Sequence, residues 1–390
     1  MHLLFATSIV PDGTLGSGYE IANATIIDAL RRAGVRVTVL GFAWPGQPPD
    51  DPENTIVLGE VDVRTEGASS FRKVAWLFKA IFSGLTYSSV KLRVVPPEAV
   101  RRAIADAGPF DAYILNSVQF AGAFEGLFDD RPCIFIDHNV EHASAQENAR
   151  AAGGNFQRFL YRREARLLKA LETRLCRKAR FVFTLAEEDR AILGVASDDK
   201  SLALPLVVHP KAPSPGERAI EYDAALIGTW TWQPNRIGLE WFLNEVVPNL
   251  PDDFSIRIAG HVPAGVGSRH PGVKFVGHVP DADAFVLGAS IIPLVSRTGT
   301  GVQIKTIETF ELGLPSVATT NALRSIDYRP ENCTVTDDPE AFAMALQLAA
   351  AGALHDTDGS AFHRYQRAVL DERIRRGLAA LGHARQAVTV

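Results

Sequence analysis

Cysteine is scarce in this 390-residue chain, which contains only Cys133, Cys176 and Cys333. These residues lie far apart with no CxxC pair, which excludes a disulfide scaffold and argues against a structural zinc site. No run approaches the roughly 18 apolar residues that cross a bilayer, and the N-terminus lacks the basic flank of a signal peptide. Positive charge is not in excess either: 40 Lys and Arg against 45 Asp and Glu give a formal net charge of −5. We therefore expect a cytoplasmic protein with no nucleic-acid partner.

Several nucleotide-binding and metal-binding motifs are also missing. No GxGxxG follows a predicted strand, and neither GxxxxGK[ST] nor HExxH occurs, which argues against a dehydrogenase, a Walker-type NTPase and a zinc protease. A glycine-rich loop at 11–18 does lead from the first predicted strand into a helix. Its backbone N–H groups could contact an anion, or its glycines could serve only a turn.

Short apolar runs alternate with helical patterns along the whole chain, which is typical of parallel βαβ architecture. Pro205, Pro210, Pro213 and Pro215 interrupt this alternation within eleven residues, where neither a helix nor a central strand can continue. We predict two doubly wound α/β domains, at 1–204 and 222–359, joined by a linker at 205–221. Predicted helices include 20–32, 165–178, 237–247 and 303–312, and a terminal helix within 360–390 is expected to cross back to the first domain.

The most informative segment is 296–318, where a predicted strand leads through a glycine-rich loop into a helix. That helix carries Lys305 and Glu308 one turn apart, on one face. A carboxylate so placed could accept hydrogen bonds from ribose hydroxyls, while loop amides and a basic side chain could bind a diphosphate. The alternative is a surface ion pair of a few tenths of a kcal/mol.

The surrounding sequence resembles glycosyltransferase family 4, which has the GT-B fold. Glu308 followed by Gly313-Leu314-Pro315 is similar to that family's "EAMAxGxPVV" segment. Further similar segments occur at 226–235, 241–242, 258–260 and 273–279. In the first half, 135–141 and the helix at 161–172 resemble a bacterial branch that acts in exopolysaccharide assembly, whereas 71–107 matches nothing recognisable.

The resemblance implies transfer of a sugar from a nucleotide diphosphate sugar, with UDP or GDP as the nucleotide, retention of configuration, and neither a metal nor a cofactor. Glu308 would bind the ribose, backbone groups around His278 and Val279 the base, and the loop Gly299–Val302 the diphosphate and sugar. The donor-binding residues would be Gly16, Gly18, Gly228, Asn235, Arg236, Gly260, His278, Val279, Arg297, Gly299, Thr300, Gly301, Val302, Lys305 and Glu308.

In the first half, the resemblance would place His138 near the reacting sugar. Asp137 and Glu141 are available as a general base should the enzyme invert configuration instead. The pairs Asp281/Asp283 and Asp356/Asp358 look like the metal-binding DxD of another glycosyltransferase fold. We interpret the first pair as a charge pair at a helix N-terminus.

Two departures from the family pattern concern phosphate binding. Thr300 occupies the position, eight residues before Glu308, where the family has a second acidic residue. Thr229 and Trp230 follow Gly228, where the family has an Arg and a Lys. Our hypothesis is that Lys305, together with Arg236 or Arg297, supplies the positive charge instead.

The segment 71–93 combines five Lys or Arg residues and no acidic residue with interleaved aromatic and aliphatic side chains. Such a surface suits anionic lipid headgroups, although the same pattern would suit a helix that packs its aromatics on the core. A membrane contact here would make the protein peripheral on the inner face of the cell membrane, with a saccharide or lipid-linked acceptor. The alternatives are a nucleotide-sugar epimerase of related fold and a non-catalytic GT-B partner subunit.

Overall fold

The computed structural model describes residues 1–387 apart from Leu15, Glu66 and Pro215, with the backbone alone described at 383–387. The chain forms two compact units. The first comprises 1–204 and the residues from 369 onward, and the second comprises 205–368. No regular helix or strand occurs in the described residues between 204 and 221, where the prolines are concentrated.

The first unit is built on a parallel sheet of seven strands within the described residues. The strands run in the spatial order β3-β2-β1-β4-β5-β6-β7. Its central strands are nearly continuous apolar runs because helices cover both faces of a parallel sheet; for example, the last seven residues of β1 are all buried. The strands are β1 His2–Ile9, β2 Arg36–Ala43, β3 Thr55–Glu60, β4 Ala112–Asn116, β5 Cys133–Asp137, β6 Phe181–Thr184 and β7 Ser201–Ala203.

The helices of the first unit include several that the sequence pattern does not predict. Ser17 caps the first helix by accepting a hydrogen bond from the Glu20 amide. Three helices, one of them beginning at Ser70, occupy the segment 71–107. The helices are α1 Gly18–Arg32, α2 Ser70–Ser83, α3 Tyr87–Leu92, α4 Pro97–Ala107, α5 Val118–Ala123, α6 Glu141–Ala151, α7 Asn155–Lys178 and α8 Glu187–Ile192.

The second unit repeats the architecture with a smaller parallel sheet, of six strands in the described residues, in the order β10-β9-β8-β11-β12-β13. The two sheets confirm the predicted α/β class. The strands are β8 Tyr222–Ile227, β9 Ile256–Ala259, β10 Val273–Gly277, β11 Ala289–Leu294, β12 Ser316–Ala318 and β13 Cys333–Val335. The helices are α9 Gln233–Trp241, α10 Ala282–Leu287, α11 Ile304–Glu311 and α12 Pro339–Leu348.

One helix of the second unit begins earlier than predicted. The apolar periodicity favours a start at residue 237, but α9 begins at Gln233 because Pro234 occupies its first turn, where a missing N–H is harmless. It then widens into a π-helical turn, Phe242–Val246. This shift brings Asn235 and Arg236 onto the helix.

The last helix, α13 Ser360–Ala387, is long, and its residues from Val369 onward group with the first unit. Gly377 lies directly on Phe183 of β6: an added Cβ would stand 2.3 Å from the Phe183 ring. None of the described helices has the length and apolar character required to cross a membrane.

Both sheets have a switch point where the strand order reverses. In the first unit it lies between β1 and β4, and in the second between β8 and β11. Ligands of open α/β sheets bind beyond the carboxyl ends of the strands at such points. We therefore expect the site residues at the carboxyl ends of the strands next to these two switch points.

Candidate functional site

The carboxyl edge of the second sheet is formed by three glycines in close contact. The amide of Gly260, after β9, donates to the carbonyl of Gly277 at 2.7 Å. An added Cβ on Gly260, whose φ is +104°, would stand 1.9 Å from the Gly228 carbonyl oxygen. Glycine is therefore required at 260 both by conformation and by space. The backbones after β8, β9 and β10 meet here with no side chain between them.

Lys305 of α11 reaches the same edge, beside Gly228. Its Nζ lies 4.6 Å from the centre of the Trp230 ring, and a Cβ added to Gly228 would be 2.3 Å from that Nζ. The Trp230 indole is fixed by a 2.8 Å hydrogen bond from Nε1 to the Ala259 carbonyl. Burial lowers the pKa of Lys305 to about 8, against the opposing effect of Glu308. Lys305 thus presents an ammonium group beside Gly228 at the end of β8.

Glu308 belongs to a chain of acidic and basic side chains. Its carboxyl shares a hydrogen bond with Asp283 of α10. Asp283 Oδ2 lies 3.2 Å from His209 Nε2, and His209 Nδ1 lies 2.7 Å from Oε2 of the buried Glu311. Burial and the neighbouring Asp283 raise the pKa of Glu308 to about 7. Burial alone would lower the pKa of His209, but its hydrogen bonds to Asp283 and Glu311 raise it to about 10.

The glycine-rich loop after β11 is held by side chains from the segment after β12. Asn321 Nδ2 donates to Thr298 O at 3.3 Å, and Arg324 donates to Gly299 O at 2.8 Å. Gly299 and Gly301 have φ of +114° and +74°. Thr300 between them is buried, and Val302 is partly buried.

The remaining predicted donor-binding residues of this unit differ in their hydrogen bonds, ion pairs and exposure. Asn235 donates to the Thr229 carbonyl. Arg236 is paired with Glu240 at 2.7 Å, and Arg297 is paired with Asp337 at 3.1 Å and stacks on Trp241. His278 is exposed and Val279 partly exposed in the loop between β10 and α10.

A cavity of about 40 Å³ lies among the β8 and β11 strand ends and is lined in part by Asn235, Lys305 and Glu308. Its volume suits a few water molecules but not a nucleotide, for which ligand pockets of about 300 Å³ or more are usual. A nucleotide would therefore lie on the open side of these residues.

In the first unit, His138 belongs to a buried polar network at the switch point. Its Nε2 donates to Asn116 Oδ1 at 2.8 Å, and Asn116 Nδ2 donates to Asn23 and Thr7 at 2.7 and 3.1 Å. The Tyr19 ring stacks on the His138 ring, 5.1 Å between centroids. Burial lowers the pKa of His138 to about 4. The imidazole is therefore neutral at pH 7, with Nδ1 as its acceptor nitrogen.

Buried polar atoms remain unsatisfied along the same edge. Within the part of the chain that the structure describes, Ser8 Oγ, Ser117 Oγ and Asp137 Oδ2 have no hydrogen-bond partner. Ser117, directly after β4, has a φ of +74°, a strained conformation for a non-glycine residue that is often found at functional sites. Unsatisfied polar groups at the carboxyl ends of β1, β4 and β5 are expected where a ligand or ordered water completes the hydrogen bonding.

Asp137 and Glu141, the predicted alternative bases, lie in a cluster of carboxyl groups. Burial and the neighbouring Glu172, Glu141 and Asp189 raise the pKa of Asp137 well above its usual range. Burial and Glu172 raise the pKa of Glu141 to about 7, and Gln119 Nε2 donates to it at 3.0 Å. These surroundings therefore favour the protonated form of Asp137, whereas Glu141 is about half ionised at neutral pH.

Gly16 and Gly18 lie at the start of α1 in the first unit. Gly18 is the first residue of the helix, directly after the Ser17 cap, and both glycines are exposed. Leu15 of this loop is outside the described residues.

The residues of the two DxD-like pairs are engaged in structural contacts. Asp281 caps α10 by accepting from the Ala284 amide, in agreement with the N-terminal interpretation of this pair. Asp356 is paired with Arg218, and Asp358 accepts from Ser360.

Sequence reasoning missed Asp283 and His209 as partners of Glu308. His209 is 74 residues from Asp283 and 102 from Glu311, so no local pattern joins them. It likewise missed Thr7, Asn23 and Asn116 around His138. The available signal was polar residues at the ends of apolar strands, as at Thr7 and Asn116.

Comparison with protein-family models gives a match within the second unit. Residues 222–351 match the family model described as "Glycosyl transferases group 1". The matched segment contains Gly228, Lys305 and Glu308. Comparison with curated protein sequences finds no match.

Solved structures resemble the chain over its full length. Sucrose-phosphate synthase from Thermosynechococcus elongatus aligns with a TM-score of 0.63 at 15% identity, covering 100% of both chains. HepE from Anabaena, solved with UDP and glucose, aligns with a TM-score of 0.61 at 13% identity, covering 97% of this chain and 99% of that one. TarM aligns with a TM-score of 0.61 at 11% identity, covering 97% and 98%. The chain therefore has the GT-B fold, as the sequence predicted.

Proposed function

We propose that this protein is a glycosyltransferase that moves a sugar from a nucleotide diphosphate sugar, with UDP as the favoured nucleotide, to a hydroxyl group of a saccharide acceptor. The observation that carries the proposal is the edge of the second sheet, within the segment that matches glycosyltransferases. There Lys305 reaches Gly228 at the end of β8, Glu308 lines the same small cavity, and Gly299 of the glycine-rich loop approaches Pro234 of α9. The structural relative HepE, solved with UDP-glucose, supports the choice of nucleotide. We infer a family 4 type enzyme of polysaccharide biosynthesis.

Each part of this edge fits one part of the donor. Ionised Glu308 would accept hydrogen bonds from two ribose hydroxyls, and the backbone near His278 and Val279 would meet the base. Lys305 would stabilise the departing diphosphate as fixed positive charge, together with the amides of the Gly299–Val302 loop. Arg236 and Arg297 already have acidic partners, so Lys305 is the principal cation of the proposal.

Retention of configuration is the favoured stereochemical outcome. Inversion requires a general base for the acceptor hydroxyl. Burial among other carboxyl groups raises the pKa of Asp137 well above its usual range and that of Glu141 to about 7, so both favour the protonated form more than an ordinary carboxylate does. His138, neutral and fixed by Asn116, would instead offer a hydrogen bond to the reacting sugar. Attack on the same face as the departing diphosphate then requires no protein nucleophile and no metal ion.

We further propose that the acceptor is lipid-linked and that α2 contacts the membrane. Trp76 is buried against Tyr87, whereas Phe71 and Phe82 are each 84% exposed and Phe78 is 56% exposed. Most of the aromatics of this segment are thus available to a bilayer interface, beside Arg72 and Lys73. The protein would then act at the cytoplasmic face of the membrane as a peripheral enzyme.

Calorimetry with UDP, GDP, ADP, NAD and NADP tests the donor site. We expect selective binding of one nucleoside diphosphate, which at 100 times its Kd stabilises the fold by roughly 2.7 kcal/mol. Glu308→Ala should abolish this binding, whereas Glu340→Ala, at an exposed glutamate of the same unit, should leave it unchanged. Lys305→Ala should raise the KM of the sugar donor strongly. Binding of none of the five nucleotides would favour a non-catalytic subunit.

An epimerase would behave differently with the donor alone. It would convert the donor to its epimer without any acceptor, whereas the proposed transferase would release nucleoside diphosphate and give a product with the donor's anomeric configuration. Nuclear magnetic resonance of the sugar product distinguishes the two reactions.

A further inference from the structure

A basic groove between α6 and α7 of the first unit is not used by the proposed donor site. The groove has a volume of about 1020 Å³. Its lining contains seven cationic side chains and no acidic one. The cations are Arg150, Arg158, Arg162, Arg166, Lys169, Arg174 and Arg177.

The cations form a row along one face of α7. Arg158, Arg162, Arg166 and Lys169 follow one another at intervals of three or four residues, which places their side chains one above the other. Arg174 and Arg177 continue the row after an interval of five residues. From Arg158 to Arg177 the row extends about 28 Å at the usual helical rise. Arg150 faces it from α6. Such a row matches an extended chain of anionic groups better than a single anion.

These charges are largely uncompensated. In the described residues, Arg174 alone among the seven is paired with an acid, Glu125 at 2.9 Å. Arg162, Arg166, Lys169 and Arg177 are exposed and have no acidic partner among the described side chains. Because the chain as a whole carries a net charge of −5, this concentration of positive charge is a local feature and not a general excess.

We propose that the groove binds a linear anionic polysaccharide, with carboxylate or other acidic groups along its length. Six of the seven cations are Arg, whose planar guanidinium matches carboxylate, sulfate and phosphate oxygens in pairs. Thr173 and Gln146 add neutral hydrogen-bonding groups for sugar hydroxyls. The binding itself is independent of the donor site; only the identification of the polysaccharide as acceptor or product rests on the proposed function.

The apolar lining argues against two other occupants. It consists of Ala149, Ala165 and Ala170, so the groove offers no aromatic side chain on which nucleic-acid bases could stack. The lining also lacks the large apolar side chains that enter a bilayer interface. The exposed Phe156 and Phe159 of α7 lie outside the lining, at the N-terminal end of the helix. A concave, small-residue floor beneath a row of guanidinium groups fits a flexible sugar chain.

Binding of sodium polygalacturonate, a linear polyuronate, tests the proposal by calorimetry at low salt. The test variant is Arg162→Gln/Arg166→Gln/Lys169→Gln, and the control is Arg101→Gln/Arg102→Gln/Arg131→Gln, which changes the net charge equally at exposed positions outside the groove. We expect the groove variant to lose roughly tenfold or more in affinity, with the affinity of the unaltered protein falling steeply as salt is added. The control should bind like the unaltered protein, and galacturonate monomer should bind far more weakly than the polymer.

Three results would overturn the proposal. The first is an equal loss of polygalacturonate affinity in the groove variant and the control, and the second is binding of neutral dextran as tight as that of polygalacturonate. In the third, polygalacturonate does not bind, and the groove variant loses binding to phosphatidylglycerol vesicles. The last would make the groove a membrane contact. Thermal unfolding of both variants checks that they fold. Nucleotide binding, measured on the same samples, reports separately on the proposed transferase, so either proposal can fail without the other.

Discussion

The shared hydrogen bond between Glu308 and Asp283 determines the charge of the proposed ribose-binding group. Asp283 remains ionised because the hydrogen bond from protonated His209 lowers its pKa. Glu308 accordingly holds its proton up to a pKa of about 7. Since a ribose hydroxyl donates best to an ionised carboxylate, donor binding is coupled to loss of this proton.

Donor affinity should therefore depend on pH in a bell shape. We expect the affinity for UDP-glucose, whose phosphates do not titrate in this range, to rise through about pH 7 as Glu308 ionises and to fall above about pH 8 as Lys305 loses its proton. Between pH 7 and pH 6 the ionised fraction of Glu308, and with it the affinity, should fall about fivefold, and by about tenfold per pH unit further below. Asp283→Asn should move the acid limb to lower pH, and Lys305→Met should weaken binding and remove the alkaline limb. Calorimetry from pH 5 to pH 9 measures both, and an unshifted acid limb in Asp283→Asn would contradict this coupling.

At the scale of an element, the terminal helix shows how one glycine fixes a packing contact. The sequence predicts a terminal helix within 360–390, which α13 confirms, but it does not indicate which face of the helix lies on the sheet. Gly377 packs on Phe183, which is nearly fully buried, and on Phe181. Gly382, five residues on in the same helix, has no atom within 4 Å of an added Cβ.

Two matched substitutions in α13 separate the contributions of packing and of helix propensity to the free energy of unfolding. Gly382→Ala should raise the free energy of unfolding by up to about 1 kcal/mol, the usual propensity gain. Gly377→Ala has the same propensity gain but places a methyl group against Phe183, and we expect a net loss on the order of 1–2 kcal/mol. Urea unfolding of the two variants gives the difference directly. Equal stability would mean that α13 does not pack on β6 through Gly377.

At the scale of the whole molecule, charge and apolar surface are distributed unevenly. A chain with a formal charge of −5 nevertheless carries two positively charged surfaces on its first unit: the groove along α7 and the aromatic helix α2. Phe71, Phe78 and Phe82 of α2 are exposed, which excludes the interpretation that this segment packs all of its aromatic side chains on the core. Trp76 alone of these four follows that interpretation.

Vesicle flotation of the full chain tests the membrane contact of α2. We expect binding to vesicles that contain phosphatidylglycerol at low salt, and much less binding to phosphatidylcholine alone, because Arg72, Lys73 and Lys79 of α2 attract anionic headgroups. Lys91, also basic, is buried against Trp76 and Tyr87 and does not contribute. Phe71→Ser/Phe82→Ser should lose most of this binding. The control, Met344→Ser/Leu348→Ser, removes two exposed apolar side chains of α12 and should float like the unaltered protein. No flotation at low salt, or equal loss in both variants, would argue against a membrane role for α2.

The sequence by itself determined the α/β class and most strands, because strands covered on both faces must be apolar throughout and turns between them need Gly or Pro. It also indicated Lys305 and Glu308 as neighbours, since a helix places residues three apart on one face. Only the tertiary structure decided the charge of Glu308, because Asp283, His209 and Glu311 come from segments far apart in the chain. Likewise, periodicity predicts an amphipathic α2 but not whether its aromatics find a partner, and a count of basic residues does not reveal that α6 and α7 enclose them in a groove. The exposure of the α2 aromatics and the shape of the groove both depend on how the helices pack, which involves contacts between segments far apart in the chain.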